Sequence, residues 1–419
     1  MTDVRGARVA VVGGSVAGLA AAIEADRAGC DVTVYERSAA TLQGRGAGIS
    51  CPPEHLQDLR RHDLVDADLP LVDRSGAYRE FTVASPAPEG RVIASQPIST
   101  YGLNWADLYG SLRRRVPDRA FRQGARVTGV RDQGASFPRL VLDNGHQVEV
   151  DAVLFADGHA SVGRTLVDRD AEVTDAGYIV WRGTVAPGDV SAIRPATEMA
   201  MHSGGHCVIY AVPSGGHPDR HMWNVVWYLR VNEAERADLL RDRFGAQHTT
   251  SVPRGNVRTD VVGAMHARAG RLLRPRAAEV VTAIPDPFVQ VVRDACTSRR
   301  LFGRLALIGD AAAVARPHTG AGALKATSEA MALGDALGRC DDLDTAFRTW
   351  AEETHPRCQE TYRLGRALGS ALVLETPEWD DFDDEMLLDY WNKATAGGRP
   401  HYVDARRAKQ QPVAPRHSK

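Results

Sequence analysis

Most of the usual signposts are missing from this chain. No C-x-x-C pair and no H-E-x-x-H run occurs in its 419 residues, and Cys30, Cys51, Cys207, Cys296, Cys340 and Cys358 sit in unrelated contexts. Such spacing argues against a dithiol redox pair or a zinc cluster and fits buried free thiols in a reducing cytoplasm. His217 and His221 have i,i+4 spacing, but Pro218 stands against a helix and no carboxylate adjoins them, so no metal site is read there. Neither charge sign is in surplus: 51 Lys+Arg face 53 Asp+Glu, and the pI is about 6.7. That balance lacks the basic footprint of a nucleic-acid partner. No apolar run approaches the ~20 residues of a membrane span. Met1 to Arg8 is polar and leads straight into a strand, so no cleavable signal is read. Internal repeats are absent too, and the length suits two joined lobes around a large core.

What the chain does have is three short glycine-bearing segments in a telling order. Gly13-Gly14-Ser15-Val16-Ala17-Gly18 follows an apolar strand over 8–12 and opens an Ala/Leu-rich helix over 16–29. A second strand over 31–35 closes at Glu36, completing the βαβ unit that a dinucleotide fingerprint requires. Gly13 permits the tight turn, Gly18 lets the helix pack on the strand, and the helix start turns free N–H groups toward a pyrophosphate. Ser15 stands where a glycine is usual and can itself donate to phosphate. Glu36, followed by Arg37, is placed to accept from an adenosine ribose hydroxyl.

The second segment, Ala156-Asp157-Gly158 to Ser161 and Arg164, leaves an apolar strand. Asp157 can hold backbone or ribitol hydroxyls, and Arg164 is expected to bring a planar cation near phosphates. The third segment leaves the strand over 305–308 at Gly309-Asp310, whose carboxylate can reach a ribityl hydroxyl. It continues through Pro317-His318-Thr319-Gly320-Ala321-Gly322. Gly320 and Gly322 allow close approach to a flavin ring, and the N–H groups of the following helix favour negative charge on it. Together the three describe one FAD held at three places.

Elsewhere the pattern predicts helices over 53–64 and 104–116 and strands over 125–131 and 139–155. From 173 to 230 it turns β-rich, with strands over 177–184, 207–212 and 223–230 forming a separate antiparallel sheet. Helical character is read over 234–245 and 285–296, and a long helix from Gly320. After Leu374 the tail is acidic, then basic, with a mobile end. Candidates for favouring an ionised substrate are His318, Arg182, Tyr210 and His206. His318 leads because it follows the proline whose loop passes the flavin, whereas His206 falls in a Gly-Gly-His turn expected to face solvent. Trp223 and Trp227 share one strand face, opposite Tyr228; such a face suits a flat heteroaromatic substrate, and sheet packing explains it equally well.

With Tyr178-Ile179-Val180-Trp181-Arg182-Gly183 and Pro287-Phe288-Val289-Gln290-Val291-Val292, the trio resembles the class A flavoprotein aromatic hydroxylases over roughly residues 8–370. Within that family it looks most like the dihydroxypyridine 3-monooxygenases. The resemblance implies an α/β (α+β) fold of the para-hydroxybenzoate hydroxylase type. A Rossmann-like FAD-binding lobe (1–75, 98–172 and 275–372) would join a mostly antiparallel substrate lobe (76–97 and 173–274), with 373–419 as an extension. It also implies FAD, NADH or NADPH as transient reductant, O2, and hydroxylation of an electron-rich hydroxypyridine, pyridinol or phenol through a flavin C4a-hydroperoxide. The setting would be catabolic or biosynthetic, and a homodimer or higher homo-oligomer is favoured by resemblance alone. The ring-proximal segment Gly46-Ala47-Gly48-Ile49-Ser50 brings Gly48 to the cofactor and Ser50, where hydroxynicotinate hydroxylases carry a histidine, to the substrate. Further departures are Ala313 for a frequent His, Trp105 for a frequent Arg, and Lys325 for Asn or Gln. An epoxidase, a Baeyer–Villiger-like enzyme, a prenyl reductase or a flavin redox sensor shares parts of the pattern.

Overall fold

The computed structural model describes residues 2–42, 48–85, 87–131, 137–190, 197–215 and 217–396. Gly46 and Ala47 lie outside them. Two sheets organise the molecule. The first has six strands in the order Leu301–Phe302, Leu305–Leu307, Ala152–Phe155, Arg8–Val12, Asp31–Glu36, Phe121–Gln123. Its central strands are apolar on both faces, as a strand covered on both sides must be. Arg8–Val12 pairs in parallel with Asp31–Glu36 and with Ala152–Phe155, and the latter pairs in parallel with Leu305–Leu307. All three glycine segments therefore leave the sheet at its carboxyl edge, side by side, where open α/β sheets bind ligands.

Helix Val16–Arg27 packs against helix Gly322–Arg339 through one core that includes Leu19, Ile23, Ala330 and Leu333. Two glycines make the first turn possible. Gly13 has φ +107°, and a Cβ there would lie 2.4 Å from the Ala156 carbonyl oxygen. On Gly18 a Cβ would lie 1.8 Å from the Gly13 oxygen.

The second sheet has eight strands in the order Ser251–Val252, Phe288–Ala295, Val173–Val185, His217–Arg230, Gly205–Ser214, Thr197–His202, Tyr78–Val83, Arg91–Pro97. Its pairings are antiparallel except between Thr197–His202 and Tyr78–Val83. Register sorts its side chains. Trp181, Trp227 and Cys207 are directly opposite one another, as are Val180, Tyr228 and His206. The first set faces helices Thr259–Leu272 and Pro275–Thr282 in one core; Val180 and Tyr228 belong to another.

One expectation is corrected here. Residues 288–295 are not helical but a strand, paired with Val173–Val185; the β-branched Val289, Val291 and Val292 pack better on a pleated surface than in a helix. Helices Thr259–Leu272 and Pro275–Thr282 fall in a stretch to which the sequence pattern assigns no element. The first part of the tail is docked: after a π-turn, Ser370–Leu374, helix Asp384–Thr395 lays Leu387 and Trp391 against Phe81 and the sheet, and the end expected to be mobile lies outside the described residues.

Candidate active site

The carboxyl edge of the parallel sheet and one face of the antiparallel sheet enclose a cleft of about 490 Å³. At its first end Ser15, Val16 and Ala17 line the wall. Ser15 is the N-cap of the first helix, yet its hydroxyl makes no capping bond, leaving it for an oxyanion. Glu36 accepts from the Gly14 N–H at 2.8 Å and the Ser38 N–H at 2.7 Å, fixing the loop while each carboxylate oxygen keeps a further lone pair. Arg37 beside it is exposed. Gly13 and Gly18 shape the turn from behind the wall.

From the second segment Gly158 and His159 reach the cleft. Asp157 Oδ2 accepts from the Val162 N–H at 2.7 Å, while its Oδ1 is buried with no hydrogen-bond partner among the described residues. Burial raises its carboxyl above the ordinary range. A buried acceptor left open at this point fits a ligand hydroxyl. Arg164 departs from expectation. It is 2% exposed and lies behind the cleft wall, donating to the carbonyls of Ala311 (3.1 Å), His159 (2.6 Å), Gly158 (3.3 Å) and Asp310 (2.7 Å). Its donors lash the second segment to the third and leave the phosphates to backbone N–H groups.

The third segment brings Asp310, Pro317, Gly320 and Gly322 to the cleft; Gly320 adopts φ +63°, and Ala321 caps the long helix with no side-chain bond of its own. Gly309 turns at φ +64° in the wall behind, held on both sides. The Gly309 N–H donates to Glu329 at 2.8 Å, and Lys325 Nζ donates to the Gly309 carbonyl at 2.8 Å. Glu329 also pairs with Arg300 at 2.8 Å and with Lys325 at 3.3 Å. Burial opposes charge in this triad, but Arg300 and Lys325 hold Glu329 below its ordinary value and Glu329 holds Lys325 above. Lys325 thus stabilises the turn; the Lys325–Glu329 i,i+4 spacing was visible in the sequence. Ala313 is buried in an isolated bridge with Cys296. Trp105 lines the cleft and stacks on Tyr109 at 5.2 Å.

The other side of the cleft is the sheet face bearing Val180, Arg182, His206, Tyr210 and Tyr228. All four candidates for acting on the substrate converge here. His206 is 1% exposed, not solvent-facing, and stacks on Tyr228 at 4.6 Å between centroids. His318 stacks on Tyr228 at 4.1 Å and stands 2.8 Å from the Tyr178 hydroxyl through Nε2. Burial pushes His206 down to about 3 and His318 well below its ordinary value, so both rings are neutral at ordinary pH. Tyr210 donates to the Gly48 carbonyl at 2.8 Å, and Gly48 lines the cleft. Among the described residues the Arg182 side chain makes one long bond, 3.5 Å to Gln290, and its Nε is buried without a partner.

Trp223 and Trp227 must be reassigned. They face the helices on the far side of the sheet, and Trp227 donates to His202 at 2.9 Å. Val226 and Tyr228 hold the cleft side instead. Arg74 was missed by sequence reasoning. It donates to Ser50 at 2.8 Å and Thr197 at 3.0 Å, lies over the Tyr210 ring at 4.8 Å, and is lowered by burial to about 10. With Arg79, Arg182 and Arg293 it makes the cleft strongly cationic, Asp310 being its one lining carboxylate among the described residues. A lone arginine far from every motif gives no sequence signal.

The glycine cradle, the capless Ser15, the open Asp157 oxygen and the helix start at Gly322 fit a flavin dinucleotide. The cationic, partly aromatic face opposite fits a planar anion. Likeness to known proteins agrees. A family described as FAD binding domain-like matches residues 175–294. The chain is 31% identical to 2,6-dihydroxypyridine 3-monooxygenase of Paenarthrobacter nicotinovorans over 82% of this chain and 86% of that protein. It is 30% identical to 3-amino-4-hydroxybenzoate 2-monooxygenase of Streptomyces cremeus, covering 91% and 92%. The solved structure of 2,6-dihydroxypyridine-3-hydroxylase from Arthrobacter nicotinovorans superposes with a TM-score of 0.80 at 29% identity, covering 92% of this chain and 97% of that one. No helix among the described residues is long and apolar enough to cross a membrane. In sequence, in fold and in the make-up of its cleft, the chain belongs to the FAD-dependent aromatic hydroxylases, the class A flavoprotein monooxygenases.

Proposed function

We propose that this enzyme hydroxylates a hydroxypyridine, pyridinol or phenol, with NADH or NADPH as reductant and O2 as oxygen donor. The single observation that carries the substrate class is the convergence of His206, His318, Tyr210 and Arg182 on one cleft face rich in cations. A ring hydroxyl makes its ring far more nucleophilic once ionised, and cations with neutral imidazoles around it favour the oxyanion. Bound FAD supplies the redox chemistry; the chain's own groups do the rest. Ser15 and the first helix start would hold pyrophosphate, and Asp157 and Asp310 the ribityl hydroxyls. The backbone at Gly320–Gly322 would lie against the ring. Pro317, His318 and Ser50 would bound the substrate, with Val180, Met199 and Val226 excluding water.

The same reading assigns residues 1–75, 98–172 and 275–372 to FAD, 76–97 and 173–274 to the substrate, and 373–419 to a C-terminal extension. The six free cysteines support a reducing, cytoplasmic setting. An assembly of identical chains rests on resemblance alone.

The test is a screen of pyridinols and phenols for stimulated flavin reduction, with mass detection of a product heavier by one oxygen atom. Stimulation by at least one hydroxylated ring, with that product, is expected. NAD(P)H oxidation indifferent to every such compound, or oxygen insertion into an alkene or ketone instead, would refute the reading.

A further inference from the structure

We propose that the two cleft histidines are fixed in opposite tautomers and divide the proton work: His206 Nε2 takes the proton of the substrate hydroxyl, and His318 donates a hydrogen bond to the oxyanion so formed. This rests on the hydroxylase reading above.

The tautomers follow from what each ring touches. His206 Nδ1 lies 3.3 Å from the carbonyl of Leu372, in the π-turn Ser370–Leu374. A carbonyl can only accept, so Nδ1 carries the hydrogen and Nε2 of the neutral ring is a lone pair. At His318 the order is reversed. Its Nε2 is 2.8 Å from the Tyr178 hydroxyl, and Arg316 Nη1 donates to that same oxygen at 3.4 Å. A guanidinium has donors only, so Arg316 cannot take the phenolic hydrogen; among the described residues the one acceptor within reach of this buried hydroxyl is His318 Nε2, and the hydrogen points there. Nε2 of His318 is therefore the acceptor, and its proton sits on Nδ1.

A buried ion pair stands behind this arrangement. Arg316 Nε donates to Asp294 at 2.7 Å, and Asp294 is approached at 3.7 Å by the exposed Arg366. Burial holds Tyr178 well above its ordinary value, so it stays protonated. The long helix Leu343–Gly369 closes over the group at two glycines: a Cβ on Gly369 would lie 2.6 Å from the Tyr178 oxygen, and one on Gly365 would lie 3.1 Å from Arg316 Cβ.

The proton balance is simple. The O–H bond of the substrate breaks, its electron pair stays on oxygen, and the proton forms an N–H bond at His206 Nε2. The imidazolium is tolerable in this buried place only because the oxyanion forms beside it. The groups packed around the pair are Tyr178, Tyr228, Arg79, His202 and Arg316, with Arg182, Arg74 and Tyr210 in the same cleft.

The probe is 4-nitrophenol, whose ionised form is visible, titrated into FAD-loaded protein below and above the probe's own pKa. Wild type should bind it as phenolate at both. His206→Gln, which cannot take up a proton, should lose about a hundredfold in phenolate binding below that pKa and recover above it. His318→Gln keeps an amide donor and should stay within about threefold of wild type, whereas His318→Leu should lose roughly tenfold at either pH. Tyr178→Phe should spare the ionisation by His206. Glutamine behaving alike at the two positions, full low-pH ionisation by His206→Gln, or a wild type that binds no phenolate would each overturn the assignment. The flavin spectrum reports folding, and should a leucine variant lose flavin, the glutamine pair decides. Phenolate binding without hydroxylation of any phenol or pyridinol would defeat the hydroxylase reading and leave the tautomers standing.

Discussion

Arg164 shows how a residue found by motif can serve the site from a different place than its charge suggests. A guanidinium is the side chain best suited to phosphate, and its spacing from Asp157 pointed there. In the fold its four bonds to carbonyls join the second and third segments. Arg164→Ala would leave those buried carbonyls short of partners, at about 1.5–3 kcal/mol for a bond involving a charged group, without simple additivity. The expected result is a loss of at least about 3 kcal/mol in urea unfolding together with flavin loss, and no rescue by Arg164→Lys, whose single ammonium cannot span four carbonyls. Unchanged stability with weakened FAD retention would return Arg164 to the phosphates. The candidates that line the cleft, such as Ser15, Asp310 and His318, sit in turns whose backbone is dictated locally by glycine or proline. The place of those that face away, Trp223 and Trp227, depends on what lies across the sheet. Arg74 and Tyr178 could not be found at all, because their roles come from partners that are distant in sequence, Ser50 and His318.

At the scale of elements, the parallel βαβ unit was legible because its strands, turn and helix follow one another within about 30 residues. The antiparallel sheet was legible in kind but not in face. Alternation put Trp223 and Trp227 on one side and Tyr228 on the other, as observed, yet nothing within the strand says which side meets helices and which meets the cleft. The helices over 259–282, with Met265, Ala269, Val280 and Val281 buried against the tryptophans, decide it. Residues 288–295 misread as helix because a short apolar run has no decisive period. The docked tail was invisible for a related reason: its acidic start resembles solvent-loving sequence, and only the apolar Leu387, Trp391 and Trp379 betray a buried stripe. Trp391 meets Phe81 edge-on at 6.1 Å and is 4% exposed. Trp391→Ala should therefore cost about 3–5 kcal/mol, read by urea denaturation. A cost below about 1 kcal/mol would mean that the last helix lies outside the cooperative core.

Across the whole molecule, the cleft lies between two sheets, and its depth leaves buried histidines that resist protonation. His202 is the most constrained of them. Its Nδ1 lies 2.9 Å from the Ser203 carbonyl and its Nε2 accepts from Trp227 at 2.9 Å, so protonation would set one N–H against another. Burial pushes it down to about 4, against an unfolded value near 6.5. A histidine lowered by folding gives stability that is complete above about pH 6.5 and is lost as the pH falls toward 4, because the unfolded chain takes the proton first. From about pH 7.5 to about pH 5.5 this one group should cost roughly 1.4 kcal/mol. His206 and His318 act in the same direction, while the raised carboxyls of Asp157 and Asp310 act in the opposite one, so the total slope is not diagnostic. The comparison with His202→Gln is. Glutamine can still accept from Trp227 but does not titrate, so urea unfolding of the variant should lose about 1.4 kcal/mol less than wild type between those two pH values. Equal losses would mean that His202 takes up its proton in the folded protein as readily as in the unfolded chain, and that the tryptophan layer behind the cleft is wet.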